Sequence, residues 1–276
     1  MSKTWFITGT SSGIGRVLTE QLLERGHRVA ATLRRMDALD DLKARHGDRL
    51  WIAALEMTDR KAVRQIVDRA FAELSEIDVI VSNAGYGLFG AAEEVAEDDI
   101  PHQIDTNLTG SIDLIRASLP HLRAQGHGHI MQVASEGGQV TYPNFSLYHA
   151  TKWGIEGFCE TVAKEIAPFG LKMTIVEPGA TRTEFGASLK RAPVIEAYEQ
   201  SVVGDVRRAI ENGAFAINGD PSKMAAAMID IAESENPPLR LALGGNTYVG
   251  IRAALEARLA ELEAYKHVTL AMDFLD

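Results

Sequence analysis

The sequence predicts an α/β fold, a single parallel sheet doubly wound with helices on both faces, and three observations predict it. Short apolar runs of strand length alternate along the chain with stretches whose apolar residues recur at helical spacing, the pattern of a parallel sheet covered on both sides. The first run, residues 4–7, leads into the glycine-rich turn Thr8-Gly9-Thr10-Ser11-Ser12-Gly13-Ile14-Gly15, and then Val17, Leu18 and Leu22 follow at helical spacing, which reads as strand, turn, helix. No internal repeat, low-complexity tract or linker divides the 276 residues, so one domain spanning 1–276 is expected, a size that single α/β domains reach.

The remaining elements follow in order. Residues 27–33 and 50–55 read as the second and third strands. Residues 60–74 carry Val63, Ile66, Val67, Ala70, Phe71 and Leu74, a strong helical stripe. Val79-Ile80-Val81 is the fourth strand, and residues 98–125 hold a long helix with a break near Pro101. Residues 129–133 form the fifth strand, 148–167 a helix and 172–176 the sixth strand. Residues 239–243 are the last strand, before a C-terminal helix from about 247 to 265.

Composition narrows the function. Thirty-eight acidic against 28 basic residues give a formal charge of −10, which argues against nucleic acid or an anionic membrane as a partner. The single cysteine, Cys159, has no partner for an internal disulfide and lies among Ile155, Phe158 and Val162 on an apolar helix face, so it reads as buried filler in a reducing compartment. No signal peptide precedes the first strand and no apolar run is long enough to cross a bilayer, so a cytoplasmic location is expected. The acidic stretch Glu93, Glu94, Glu97, Asp98 and Asp99 reads as a solvated loop and helix start. His127 and His129 flank a glycine without further ligands at metal spacing, so no metal site is expected.

Chemistry concentrates in one segment. Tyr148 and Lys152 stand one helical turn apart, on one helix face, and Ser135 lies thirteen residues upstream of the tyrosine, just past a strand. A tyrosine hydroxyl is a poor acid or base near neutrality, and an ammonium beside it favours the phenolate and brings it toward working range. Ser135 then hydrogen-bonds the substrate oxygen that Tyr148 protonates. At the other end of the chain, the glycines of the first turn let the backbone approach a pyrophosphate, and the helix N-terminus offers unpaired N–H donors and a favourable dipole. Where the second strand ends, dinucleotide folds meet the adenosine ribose. The run there is Ala31-Thr32-Leu33-Arg34-Arg35, with no carboxylate before Asp37. Arg34, with Arg35 beside it and Ser11 or Ser12 adding a hydroxyl, suits the extra phosphate of NADP, whereas an acidic residue would suit NAD.

Taken together, these motifs resemble the short-chain dehydrogenase/reductase family over nearly the whole chain. The spacing of Gly9, Gly13 and Gly15 matches the compact branch, Asn83-Ala84-Gly85 matches the motif that steadies the central sheet and flanks the cofactor, and Asn107 in Thr106-Asn107-Leu108-Thr109-Gly110 matches the fourth member of the catalytic tetrad. Pro178-Gly179, with Thr183 soon after, matches the segment that embraces the nicotinamide amide. The resemblance implies a Rossmann-type dinucleotide fold and an NADP(H)-dependent ketone–alcohol oxidoreductase, similar to hydroxysteroid and retinol dehydrogenases and bacterial ketoreductases. It implies that Tyr148 is the acid–base, that Lys152 lowers its pKa and holds the nicotinamide ribose, that Ser135 orients the substrate oxygen, and that Asn107 holds a water linking Lys152 to solvent. It also implies a homodimer or homotetramer built through the helices after Asp98 and around Tyr148.

One departure stands after the third strand, where the family's adenine-facing aspartate is replaced by Glu56, with the Met57 backbone as the alternative contact. The substrate-covering segment is expected at about 180–204. Val140, Tyr142, Phe145, Phe185 and Leu189, with Tyr86, Leu88 and Phe89, would wall a pocket for a hydrophobic ketone. The other function class in view is a non-catalytic NADP(H)-binding sensor or regulator on the same fold; relatives of that kind lose the tyrosine or lysine, which this chain keeps.

Overall fold

Strand β1 (Thr4–Thr8) is buried along its whole length, and so it needs no alternation of polar and apolar residues: both of its faces are covered. In the computed structural model, which describes residues 2–214 and 216–274, it is an interior strand of a sheet completed by six more strands. In chain order the strands are β1, β2 (Arg28–Leu33), β3 (Leu50–Ala54), β4 (Val79–Ser82), β5 (Leu88–Phe89), β6 (Gly128–Val133), β7 (Leu171–Pro178), β8 (Lys190–Arg191) and β9 (Arg240–Leu243). The helices are α1 (Gly13–Glu24), α2 (Asp40–His46), α3 (Arg60–Leu74), α4 (Asp99–Ile104), α5 (Gly110–Gln125), α6 (Ser146–Ile166), α7 (Val202–Glu211), α8 (Pro221–Glu233), α9 (Gly245–Ala264) and α10 (Lys266–Leu270).

The large sheet runs β3-β2-β1-β4-β6-β7-β9, with every pair parallel. The chain moves outward one way from β1 to β3 and the other way from β4 onward. A crevice therefore opens beyond the carboxyl ends of β1 and β4, where α/β sheets bind ligands. Alternate side chains of each strand feed two cores. Phe6, Ile80 and Ile130 join α3, α5 and α6 on one face, while Trp5, Ile7, Val79 and Val81 join α1, α2 and α8 on the other. Cys159 lies fully buried in the first core, and burial pushes its thiol up to about 12, so it is filler.

The predicted strands all form, with ends shifted by a residue or two. Helix α6 starts at Ser146, two residues ahead of the expected start, and α9 starts at Gly245. The interruption expected near Pro101 falls elsewhere. Pro101 sits in the first turn of α4, where its missing N–H is no loss, and the irregularity is a π-turn at Asp105–Thr109 that carries Asn107.

Helices α2, α7, α8 and α10 were not foreseen. For α8 the signals were present: Asp220 accepts from the Ser222 and Lys223 N–H groups at 2.9 and 3.4 Å, and Pro221 opens the helix. Its buried face, Met224, Ala225, Met228, Ile229 and Ala232, is small and mixed in type, which hid the stripe.

Strands β5 and β8 pair in a separate two-stranded sheet, Leu88 opposite Lys190 and Phe89 opposite Arg191. This pairing ties the segment after β7 across the mouth of the crevice. A buried ion pair fastens it further along: Arg207 Nη2 donates to both oxygens of Glu94 at 2.8 Å, and Glu94 accepts from the N–H groups of Ile195 and Ala91. Glu94, expected in a solvated loop, is in fact fully buried on this partner. Among the described residues, no helix is long and apolar enough to cross a membrane.

Candidate active site

The glycine turn is built by close approach. Gly9 and Gly13 take φ of +72° and +60°, a region side chains rarely adopt. A Cβ on Gly15 would stand 2.4 Å from the Gly9 carbonyl oxygen and 2.5 Å from Asn83 Nδ2, so α1 packs onto the turn only because that position is bare. Gly15 is therefore buried beneath the cleft and does not line it, whereas Gly9, Ser11, Ser12, Gly13 and Ile14 do. Asn83 bolts the turn in place, with Nδ2 donating to the Thr8 and Gly9 carbonyls at 2.9 and 3.1 Å. Thr8, a residue the sequence reading passed over, answers from below: its hydroxyl accepts from the Asn83 and Ala84 N–H groups, both at 3.0 Å.

The cradle fits a phosphate group. Ser12 precedes α1 without capping it through its side chain, and no acidic residue occupies the first turn, so the N–H donors and the dipole face the cleft unopposed. Arg34, exposed at the end of β2, lines the same cleft, as do Glu56 and Met57. Arg35 does not. Successive residues of an extended chain project to opposite sides, so only one of the two arginines faces the crevice.

At the other end of the cleft, β6 runs out at Val133 and delivers Ser135 in extended conformation. Its Oγ accepts from the Gly137 N–H at 3.0 Å, capping a single tight turn. Tyr148 and Lys152 face this turn from the first half of α6. The Lys152 ammonium donates to the Val133 carbonyl at 3.0 Å and stands 5.6 Å from the centre of the Tyr148 ring. Burial pushes the Tyr148 hydroxyl up to about 12, with Ser135 opposing the rise and the Glu136 carboxylate adding to it. Burial also brings Lys152 down to about 8, opposed by Glu156. In the protein alone desolvation dominates at the Tyr148 hydroxyl, so the lowering expected from Lys152 is not seen there.

His149, next to Tyr148, is a second residue that sequence reasoning missed. One ring nitrogen pairs with the Gly137 carbonyl at 2.8 Å and the other accepts from the Tyr142 N–H at 2.9 Å, so the ring is a neutral splint between the Ser135 turn and α6. Burial lowers its pKa in keeping with that role. Asn107 spends its side chain mainly on backbone: Nδ2 donates to the Tyr86 carbonyl at 2.8 Å and, more weakly, to Thr151 Oγ1 at 3.5 Å, and Oδ1 accepts from the Tyr86 N–H at 3.1 Å. Its own carbonyl accepts from Ser111 Oγ at 3.1 Å. These contacts hold the 83–86 turn, including Ala84 and Gly85, against the cleft.

The whole cleft encloses about 1140 Å³, room for a dinucleotide and a medium-sized substrate. Pro178, Gly179 and Thr183 line it, and Thr183 passes 3.7 Å from where a Cβ on Gly13 would stand. Of the expected aromatic and aliphatic wall, Tyr86, Tyr142, Phe145, Phe185 and Leu189 line the cleft. Val140, Leu88 and Phe89 do not; the last two are buried in β5. At the opposite end of the strands, just before β4 and β6 begin, His127 Nε2 meets Glu76 at 2.7 Å with Asp78 nearby, carboxylate neighbours that strand pairing supplies and spacing along the chain does not.

A family model described as short chain dehydrogenase matches residues 3–193. The chain belongs to the short-chain dehydrogenase family. This short-chain dehydrogenase is 36% identical over 272 residues to the oxidoreductase BOA17 of Botryotinia fuckeliana, covering 98% of this chain and 99% of the relative. It is 35% identical over 181 residues to the NADP-dependent 3-hydroxy acid dehydrogenase YdfG of Escherichia coli, covering 65% of this chain and 73% of that one. Among solved structures, a short-chain dehydrogenase from Streptomyces avermitilis superposes with a TM-score of 0.92 at 38% identity, covering 99% of this chain and all of the other.

Proposed function

We propose that the protein interconverts a hydrophobic ketone and its secondary alcohol with NADP(H), the whole chain acting as one catalytic unit covered by the segment at about 180–204. The observation that carries this reading is that Ser135, Tyr148 and Lys152 line one end of the cleft whose other end is the glycine cradle and Arg34. The bound nicotinamide supplies or accepts the hydride. Tyr148, fully protonated near neutrality because its pKa lies at about 12, gives its proton to the carbonyl oxygen during reduction. Ser135 donates a hydrogen bond to the same oxygen and holds it toward the tyrosine. Lys152 contributes a buried positive charge beside the ring and a donor for ribose hydroxyls. Asn107 acts in this reading by holding the Tyr86 backbone, and Glu56 or the Met57 backbone meets the adenine.

NADP(H) is favoured over NAD(H) because Arg34 is the charged side chain at the end of β2 that lines the cleft, with no carboxylate before Asp37. YdfG, an NADP-dependent relative, and a serine dehydrogenase solved with NADP+ (28% identical, TM-score 0.74) agree with it. Arg34→Ala removes a charge-assisted contact, so NADPH affinity falls about ten- to a hundredfold while NADH affinity changes little. Fluorescence titration with both cofactors checks this, and native affinity for NADH at least equal to that for NADPH defeats it.

The experiment that tests the activity is loss of reduced-nicotinamide absorbance across a panel of ketones with each cofactor. Tight NADPH binding without turnover on any of them would leave a sensor as the reading. A cytoplasmic setting goes with the buried, unpaired Cys159. A homodimer or homotetramer is also expected, and light scattering that reported a 30.0 kDa particle at micromolar concentration would refute it.

A further inference from the structure

Behind the site, away from the cleft, lies a buried cluster of charges that the proposed chemistry does not use. Glu156, one turn beyond Lys152 on α6, and Glu177, just before Pro178-Gly179 on β7, are each 2% exposed. Both accept from Arg240 Nη1 of β9, at 2.6 Å each, while Arg240 Nη2 reaches the half-exposed Glu160 at 3.1 Å. Glu156 Oε2 also accepts from Gln139 Nε2, in the loop after Ser135. Gln139 in turn accepts from Arg258 of α9 at 3.1 Å. The loop can come this close only because residue 138 is bare: a Cβ on Gly138 would overlap Glu156 Oε1.

One guanidinium does not neutralise two buried carboxylates. The second oxygen of Glu156, Oε1, is buried with no hydrogen-bond partner among the described residues, which is costly for a carboxylate unless a positive charge lies near it. The buried cation close by is Lys152, at i and i+4 on the same helix face, whose own hydrogen bond goes to a neutral carbonyl. Buried Glu156 and Glu177 against buried Lys152 and the partly buried Arg240 make two charges of each sign.

We infer that Glu156 is a positioning residue of this site, supplying the buried counter-charge for Lys152 and tying it to the Ser135 loop, to β7 ahead of Pro178-Gly179, and to β9. The inference rests on the role proposed for Lys152. The charged and titratable groups that face Glu156 are Lys152, Cys159 and Glu160 from its own helix, Glu177 from β7 and Arg240 from β9; Arg258 of α9 reaches it through Gln139. Of these, Lys152 is the one that meets the cofactor in this reading, so losing the carboxylate is felt there as an ammonium that gives up its proton too easily.

The test is NADPH affinity of the full chain, read by nicotinamide fluorescence between about pH 6 and pH 10, for the wild type, Glu156→Gln and Glu156→Asp. Wild-type affinity is expected to fall as Lys152 deprotonates. In Glu156→Gln the midpoint should move down by about one pH unit, while affinity near the acid end stays within about twofold of wild type. Glu156→Asp keeps the charge at a longer reach and should shift about half as far, which serves if the glutamine variant does not fold. A midpoint unchanged in the folded variant, whatever its melting temperature, overturns the inference and leaves Glu156 a packing residue. A pH-independent wild-type titration overturns it too. Because the readout is binding, absence of turnover on any ketone would sink the proposed activity without deciding this point.

Discussion

Tyr148→Phe should lower turnover by about a hundred- to ten-thousandfold, the range that general acid catalysis commonly contributes, while the dinucleotide dissociation constant stays within about twofold. The ring is held by Phe145 at 6.0 Å, Phe185 at 5.8 Å and His149 at 6.0 Å between centres, and phenylalanine keeps all three contacts. Only the hydroxyl and its Ser135 interaction go, so the melting temperature should hold. The wild-type pH profile sharpens the test. Reduction needs Tyr148 protonated and Lys152 charged; the tyrosine lies at about 12 and the lysine at about 8 in the free protein. The alkaline limb of kcat/KM for NADPH at saturating ketone should therefore fall near the lysine value, since that profile reports groups of the cofactor-free enzyme. Turnover near wild type in Tyr148→Phe would end the acid–base assignment.

How much of this was open to reading in the sequence depends on the range of the interaction. The glycine turn, the Tyr148–Lys152 pair and the strand runs are local: their meaning follows from spacing along a strand or one helical turn, and the strands form within a residue or two of the expected runs. Asn83 was legible as a motif, but its bolt through Thr8 was not, because that contact spans strands β1 and β4, about 75 residues apart. The same limit hid the buried role of Glu94. An acidic run reads as solvated until a partner 113 residues away, Arg207, is folded onto it. The pairing of Glu156 lies beyond local spacing in the same way, since Arg240 comes from the last strand. Burial was the other blind spot. Spacing alone put an ammonium near a phenol and implied a lowered tyrosine pKa, whereas the desolvation that raises it appears only once the cleft walls are in place.

Gly15→Ala tests the cradle with a single methyl group, and Gly157→Ala is its control. At Gly15 the methyl would meet the Gly9 carbonyl oxygen at 2.4 Å and Asn83 Nδ2 at 2.5 Å, both parts of a fixed hydrogen-bonded turn with no room to yield. Overpacking of this kind costs about 1–3 kcal/mol, which for a chain of this size lowers the melting temperature by roughly 2–10 °C. The strain falls on the turn itself, parting the helix N-terminus from the Gly9 backbone, so NADPH affinity should drop more than about tenfold, beyond what the lost stability alone would produce. Gly157 is also helical, yet a Cβ there meets nothing within 4 Å, and alanine should stabilise α6 by about 0.5–1 kcal/mol and leave NADPH affinity as it was. Equal behaviour of the two variants in a melting curve and a dinucleotide titration would mean that the close approach of α1 to the turn does not shape the binding site.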